Sequence, residues 1–123
     1  MAKSKVFLFD DNEEILELCI EILEDLGFEV KSSPTTTDLL SQIEEFSPDL
    51  IFMDNWLPDV SGVQATQMIK ASDKFSHIPV VYFTANTNIE SLARAAGADH
   101  YLEKPFNIDD FENLTLRALK KEK

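Results

Sequence analysis

LIFMDNWLP, at positions 50–58, is the stretch of sequence that decides the fold. Its first four residues are apolar without a break, and the carboxylate of Asp54 follows them directly. A short apolar run bounded by turn-forming residues such as Pro58 is typical of a strand that is buried on both faces of a sheet. We therefore predict that Asp54 lies at the carboxyl end of a central strand, where open α/β sheets place their ligands.

Two other apolar runs end at polar side chains in the same way. The run VFLF stops at Asp10 and Asp11, and the run VVYF stops at Thr84. Because the carboxyl ends of parallel strands meet at one edge of a sheet, these side chains are expected to lie near Asp54. The sequence therefore predicts three carboxylates and a hydroxyl at a single edge.

Stretches with helical spacing of apolar residues alternate with the strand-like runs. The first predicted helix begins after Asn12, and the second begins after a threonine cluster at 35–37. The third spans 63–71. The fourth begins at a capping box at 87–90, and the fifth begins after Asn107. Further strands are predicted at 28–31, as a half-buried edge strand, and at 101–102. Five strands alternating with five helices predict an α/β fold with a doubly wound parallel sheet and right-handed crossovers. All of residues 1–123 are expected to form this one domain.

The spacing of apolar residues also predicts which face of a helix packs against the core. The apolar stripe of the first helix is predicted to contain Ile15, Leu18, Cys19, Ile22, Leu23 and Leu26. On the third helix the inward residues are expected to be Ala65, Met68 and Ile69. Because Cys19 falls inside the stripe, it is interpreted as a small core residue and not as a nucleophile.

Composition narrows the class of protein further. The chain has 123 residues, of which 44% are hydrophobic, enough to bury the core of one compact domain. Its formal net charge of −12 repels phosphate backbones, so direct nucleic-acid binding is not expected. The single cysteine, and the lack of an apolar run near the ~20 residues of a membrane span, favour a cytoplasmic protein without membrane contact.

The predicted carboxylate cluster requires a cation. Asp10, Asp11 and Asp54 would repel one another strongly in a partly desolvated cleft, and their hard oxygen atoms favour Mg²⁺ or Mn²⁺. The Asp54 carboxylate can accept a phosphoryl group as an aspartyl phosphate. Lys104, after the fifth predicted strand, can supply an ammonium from the opposite side. The Thr84 hydroxyl can donate a hydrogen bond to a phosphoryl oxygen.

The same motifs carry a resemblance to a known family. They are Asp10-Asp11, Asp54 with Pro58 and Gly62, Thr84-Ala85, and Gly97-Ala98-Asp99 leading to Lys104-Pro105-Phe106. Over essentially its whole length the chain resembles the receiver domain of two-component response regulators. This resemblance implies a flavodoxin-like sheet in the strand order 2-1-3-4-5, with helices on both faces.

The resemblance implies roles for the matching residues. Asp54 would be the phosphoacceptor. Asp11 would bind the metal directly, Asp10 mostly through water, and Trp56 through its backbone carbonyl. Trp56 and Asn86 also occupy the two variable positions that flank the site. The indole of Trp56 would either hinder an attacking water or lie flat on the surface.

The resemblance also implies a route to partners. Thr84 and Lys104 would grip the phosphoryl group, and Tyr101 would turn inward and reshape the surface of the fourth helix, fifth strand and fifth helix. The phosphodonor would be a histidine kinase or a histidine phosphotransfer protein. It would dock on three apolar residues of the first helix, Ile15, Leu16 and Ile20, here called the docking set. Output would pass to a downstream protein target or to an output domain missing from this sequence.

Two other classes share part of this chemistry. A Mg²⁺-dependent hydrolase of the haloacid-dehalogenase type places its nucleophile after the first strand and a second aspartate two residues on. Here Asp10 is followed by Asp11 and Asn12. A flavodoxin-like binding module needs a loop rich in Ser, Thr and Gly, and these acidic residues would repel the FMN phosphate. We therefore expect a phosphorylation-controlled switch, whose enzymatic activity is limited to its own phosphorylation and dephosphorylation.

Overall fold

The computed structural model describes residues 3–85 and 88–120, and side chains up to residue 119. Five strands and five helices alternate along the chain: β1 (Lys5–Phe9), α1 (Glu13–Asp25), β2 (Glu29–Ser33), α2 (Leu39–Phe46), β3 (Leu50–Met53), α3 (Gly62–Ala71), β4 (Val80–Thr84), α4 (Ile89–Ala96), β5 (His100–Glu103) and α5 (Ile108–Lys120). The predicted alternation is confirmed. Asn86, the capping residue Thr87 and the basic terminal residues Lys121 and Lys123 lie outside the described residues.

The strands form one parallel sheet in the order β2-β1-β3-β4-β5. This is the order that the resemblance implied, and β2 lies at an edge as predicted. All four residues of the central strand β3 are buried. The register pairs Phe9 with Met53 and Met53 with Tyr82. The residues that follow β1 and β3 therefore reach the same edge of the sheet.

Alternate strand residues point to opposite faces of the sheet and build separate cores. On one face, Phe52 and Phe83 pack with residues of α1 and α5. On the other face, Phe7 packs with residues of α2 and α3. A third and smaller cluster lies beneath α4, and its buried members are Tyr82, Ile89 and Ala93. The buried residues under α4 therefore form a cluster separate from the two larger cores.

Two predictions about helix faces are wrong. On α1, Leu18 is 40% exposed, whereas Leu16, which was not assigned to the core stripe, is 7% exposed and joins the core with Cys19. On α3, Met68 is 40% exposed, while Thr66 is buried. A residue at the border of an apolar stripe moves into or out of the core with a small rotation of the helix about its axis. Spacing alone therefore does not decide which border residue is buried.

The start of α2 also differs from the prediction. Asp38, and not a threonine, is the N-cap, with a left-handed φ of 54° and no capping hydrogen bond from its side chain. The buried Thr36 hydroxyl instead accepts a hydrogen bond from the Val60 N–H at 2.8 Å. It also lies 2.8 Å from the carbonyl oxygen of Val60 and 3.0 Å from that of Pro58. The threonine cluster therefore holds the loop that follows β3.

The longer helices begin as predicted. The Asn12 side chain accepts hydrogen bonds from the N–H groups of Glu14 and Ile15 at the start of α1. The Asn107 side chain accepts one from the Asp110 N–H at 2.7 Å at the start of α5. Among the helices of the described ranges, none has the length and apolar character needed to cross a membrane.

Candidate functional site

The carboxyl edge of the sheet brings three carboxylates together. Asp10 follows β1 and Asp54 follows the neighbouring β3, and the Asp54 N–H donates to the Phe9 carbonyl at 3.0 Å. One carboxylate oxygen from each of Asp10, Asp11 and Asp54 lies within 4.8 Å of the others. Asp10 is 0% exposed and Asp54 is 5% exposed, whereas Asp11 faces solvent. The three residues that the sequence assigns to this edge therefore do lie together.

Lys104 reaches the same edge from the loop after β5. Its backbone N–H donates to the Thr84 carbonyl at 2.9 Å, which fixes the start of that loop. Its Nζ atom lies 2.5 Å from Oδ2 of Asp10 and 3.3 Å from Oδ1 of Asp54. The ammonium also lies 4.6 Å from the centre of the Phe83 ring. One cation thus serves two buried carboxylates, and the cluster keeps an excess of negative charge.

The burial of Asp54 is reflected in the pKa of its carboxyl group. Burial raises the pKa of Asp54 above its ordinary value, Lys104 lowers it, and the Asp10 carboxylate raises it again. Because the net shift is upward, Lys104 alone does not fully compensate the ionised form. A divalent cation among these oxygen atoms would favour that form, and hard carboxylate oxygens are the ligands that Mg²⁺ takes. The residues present therefore fit a Mg²⁺ site.

Thr84 ends β4 beside the acidic cluster. It is 0% exposed, and its hydroxyl has no hydrogen-bond partner within residues 3–85 and 88–119. A buried hydroxyl without a partner costs free energy, so such groups in folded proteins call for an explanation. A ligand oxygen at this edge would give the hydroxyl a partner.

Gly62 allows α3 to begin against the backbone of the acidic cluster. A Cβ atom at this position would lie 2.0 Å from the carbonyl oxygen of Asp54. The Gly62 N–H donates to the Asn55 carbonyl at 3.0 Å. Only glycine fits this contact. The loop after β3 is thereby closed directly behind Asp54.

Two aromatic side chains near the edge face solvent. Trp56 is 69% exposed and Tyr101 is 45% exposed. The exposure of Trp56 corresponds to a surface position, one of the two alternatives left open by the sequence. Tyr101 pairs in register with Tyr82, so its ring stands outward on the face of the sheet that α4 covers.

The docking set on α1 is only partly available at the surface. Ile15 and Ile20 are half-buried and pack against the core, and Leu16 is buried within it. The expectation that Leu16 is part of the docking set is therefore wrong, since its side chain is used by the core. Ile15 and Ile20 remain for any partner at this face.

A buried polar pair near the site was missed by the sequence analysis. The Tyr82 hydroxyl donates a hydrogen bond to Oδ1 of Asn55, the residue after Asp54. Tyr82 is 0% exposed and Asn55 is 8% exposed. A tyrosine inside a wholly apolar strand was the available signal, because a buried phenol usually requires a partner.

Comparisons with known proteins place this geometry in context. The sequence model of the response regulator receiver domain matches residues 6–115. The polar-differentiation response regulator DivK of Brucella anthropi is 35% identical over 113 residues, which cover 90% of this chain and 91% of DivK. A receiver domain protein of Methanospirillum hungatei, described as CheY-like, is 28% identical with a TM-score of 0.87, covering 98% of this chain and 97% of its own.

A further solved structure bears on the metal. The receiver domain of a sensor histidine kinase from Pseudomonas aeruginosa PAO1 is 26% identical to this chain, with a TM-score of 0.87. The match covers 97% of this chain and 99% of that receiver domain. That protein was solved with a magnesium ion coordinated in its active site cleft.

Proposed function

Since this chain belongs to the response regulator receiver domain family, we propose that Asp54 accepts a phosphoryl group from a phosphohistidine partner. That partner is a histidine kinase or a histidine phosphotransfer protein. One observation carries the proposal: the oxygens of Asp10, Asp11 and Asp54 lie within 4.8 Å of one another, with Nζ of Lys104 on two of these carboxylates. A carboxylate cluster with too little positive charge suits a cation and a phosphoryl group together.

Each residue has a distinct part in the transfer. An oxygen of Asp54 attacks phosphorus, an O–P bond forms, and the N–P bond to the donor imidazole breaks with its electron pair returning to nitrogen. The Lys104 ammonium pairs with a phosphoryl oxygen, and the Thr84 hydroxyl donates to another. Asp10, Asp11 and Asp54, with the backbone carbonyl of Trp56, would hold Mg²⁺ or Mn²⁺. When bound, that cation neutralises charge on the phosphoryl oxygens.

The proposed output is a change at the face of α4, β5 and α5. The Thr84 hydroxyl turns toward the phosphoryl group, and Tyr101 moves into the space behind it. Its outward position, 45% exposed, is the starting state for that movement. The altered face then contacts a downstream protein or an output domain outside this sequence. Catalysis by the chain is confined to its own phosphorylation and dephosphorylation.

The phosphodonor is proposed to dock on α1 beside the site, on Ile15 and Ile20 of the docking set. Ile20→Ser should slow transfer from the partner while leaving phosphorylation by acetyl phosphate unchanged. Leu18→Ser is the matched control, since Leu18 is an exposed apolar residue on the other border of α1. Equal transfer rates for Ile20→Ser and Leu18→Ser would refute this docking site.

Incubation with acetyl phosphate tests the proposed function. Intact mass should show a single phosphoryl adduct in Mg²⁺ and none in EDTA. A persistent stoichiometric adduct, with acetyl phosphate consumed only as slowly as that adduct hydrolyses, supports a switch, whereas rapid turnover of acetyl phosphate without an accumulating adduct would indicate a hydrolase. If neither an adduct nor turnover is observed, a binding module becomes the better interpretation.

A further inference from the structure

A buried hydrogen bond joins the residue after Asp54 to the core beneath α4. The Tyr82 hydroxyl donates to Oδ1 of Asn55 across 27 positions of sequence. The backbone of Asn55 is held as well, because its carbonyl accepts from the Gly62 N–H at 3.0 Å. Asn55 is therefore fixed at both its backbone and its side chain.

Tyr82 also lies beneath α4. Its ring forms the small buried cluster together with Ile89 and Ala93 of that helix. The helix is short, with eight residues. The Tyr82 ring is therefore one of the buried contacts that place α4 on the sheet.

We propose that Asn55 and Tyr82 are a pair of positioning residues that couples the state of the Asp54 site to the placement of α4. The inference rests on the proposed phosphorylation of Asp54. A buried donor and a buried acceptor each cost free energy when they separate, so the two side chains move together. Because Tyr82 and Thr84 are two residues apart on β4, they point to the same face of the sheet. The pair thus lies beside the hydroxyl proposed to turn toward the phosphoryl group.

The bond is present throughout the neutral range. Burial, and next the Asp54 carboxylate, raise the pKa of Tyr82, so its phenol stays protonated and remains a donor. Oδ1 of Asn55 is therefore the acceptor of this hydrogen bond. Displacement of the backbone after Asp54 is therefore transmitted to the Tyr82 ring without any change of protonation.

Beryllofluoride, which mimics a bound phosphoryl group, provides the test by NMR in the presence of Mg²⁺. Wild type should show amide shifts both near Asp54 and along α4. Tyr82→Phe should keep the shifts near Asp54, lose most of those along α4, and melt about 3–6 °C lower because the Asn55 oxygen is left unpaired.

The double variant Asn55→Leu with Tyr82→Phe separates coupling from stability. Replacing both polar partners by apolar groups removes the unpaired oxygen, so the melting temperature should return toward that of wild type. The shifts along α4 should remain lost. Thr66→Val is the matched control, since it deletes a buried hydroxyl of the neighbouring α3 and should leave the shifts along α4 intact.

Shifts along α4 that persist in Tyr82→Phe, or that return with stability in the double variant, would overturn the proposal. Either result would make the pair a structural contact only. The two proposals fail differently. If wild type shows no adduct with acetyl phosphate, the proposed function fails; if the adduct forms and α4 responds equally in all variants, only the coupling fails.

Discussion

Two aspartates flank the central strand β3 and lie in opposite environments. Asp49, before the strand, is exposed; its carboxylate accepts the Lys5 N–H at 2.8 Å, and its own N–H donates to the Lys5 carbonyl at 2.7 Å. Asp54, after the strand, is 5% exposed and shares Lys104 with the buried Asp10. One carboxylate is satisfied by the fold, and the other is not.

A second aspartate at the amino edge of the sheet, Asp99, has a role like that of Asp49. Asp99 accepts the Val80 N–H at 2.9 Å and pairs with Lys70 at 2.6 Å. The first N–H groups of a strand need acceptors, and these carboxylates supply them. At the carboxyl edge three carboxylates are instead crowded together, and two of them, Asp10 and Asp54, are buried. The comparison teaches that the same residue type stabilises one edge of a parallel sheet and is available to bind a ligand at the other.

The largest expected difference between the edges is chemical. Asp54→Ala should abolish the phosphoryl adduct formed from acetyl phosphate and Mg²⁺. Asp49→Ala, at the other end of the same strand, should leave it intact. Intact mass spectrometry measures both variants. An undiminished adduct in Asp54→Ala would mean that the two edges do not differ as described.

Replacing the lysine at each edge, Lys104 or Lys70, should lower the free energy of unfolding by different amounts. Lys104→Met leaves two buried carboxylates without their cation and should cost about 3–5 kcal/mol of the free energy of unfolding in EDTA. Lys70→Met should cost less, roughly 1–2 kcal/mol, because the Asp99 side chain is 42% exposed and the Lys70 ammonium otherwise bonds only the carbonyls of Ser76 and Ile78 among the described residues. Urea unfolding gives both values. Equal losses would show that the buried cluster does not depend on Lys104.

Magnesium should act on the carboxyl edge only. By linkage, Mg²⁺ at 100 times its dissociation constant should stabilise wild type by about 2.7 kcal/mol. Asp11→Asn should lose most of this gain, whereas Asp99→Asn should retain it. Thermal unfolding and the fluorescence of Trp56, two residues from Asp54, report the effect. Equal gains in both variants would place the ion elsewhere.

Proton linkage should give the smallest difference. Because the folded pKa of Asp54 is raised, mainly by burial, the folded chain holds a proton that the unfolded chain releases above the ordinary value of 3.8. This contribution to stability is complete below that value and is lost as the pH rises through the folded pKa. Asp54→Asn should remove it. Urea titrations in EDTA across acidic pH check the sign, and a contribution that grows with rising pH contradicts it.

The sheet and its acidic edge could be predicted because their signals are local. The apolar run that ends at Asp54 has the form of a strand buried on both faces, and the strand-end rule then groups Asp54 with Asp10. The strand order was implied by the family resemblance and not by periodicity. The caps Asn12 and Asn107 were identified for the same local reason, since each side chain bonds to the next turn of its own helix.

The parts that the sequence did not reveal depend on distant contacts. Leu16 and Leu18 exchange the expected core and border positions because the rotation of α1 is set by the sheet beneath it. Thr36 serves a loop 22–24 residues further along the chain instead of its own helix. The partner of Tyr82 likewise lies 27 positions away. A pattern along the chain cannot identify such partners.

Chemical mapping of the phosphoryl group in wild type tests the central claim most directly. Borohydride reduces an acyl phosphate, so a phosphorylated aspartate becomes homoserine and its position can be found by peptide mass spectrometry. After incubation with acetyl phosphate and Mg²⁺, homoserine is expected at position 54 alone, and at no position in EDTA. Homoserine at Asp49, Asp99 or any other carboxylate, with Asp54 unchanged, would contradict the account.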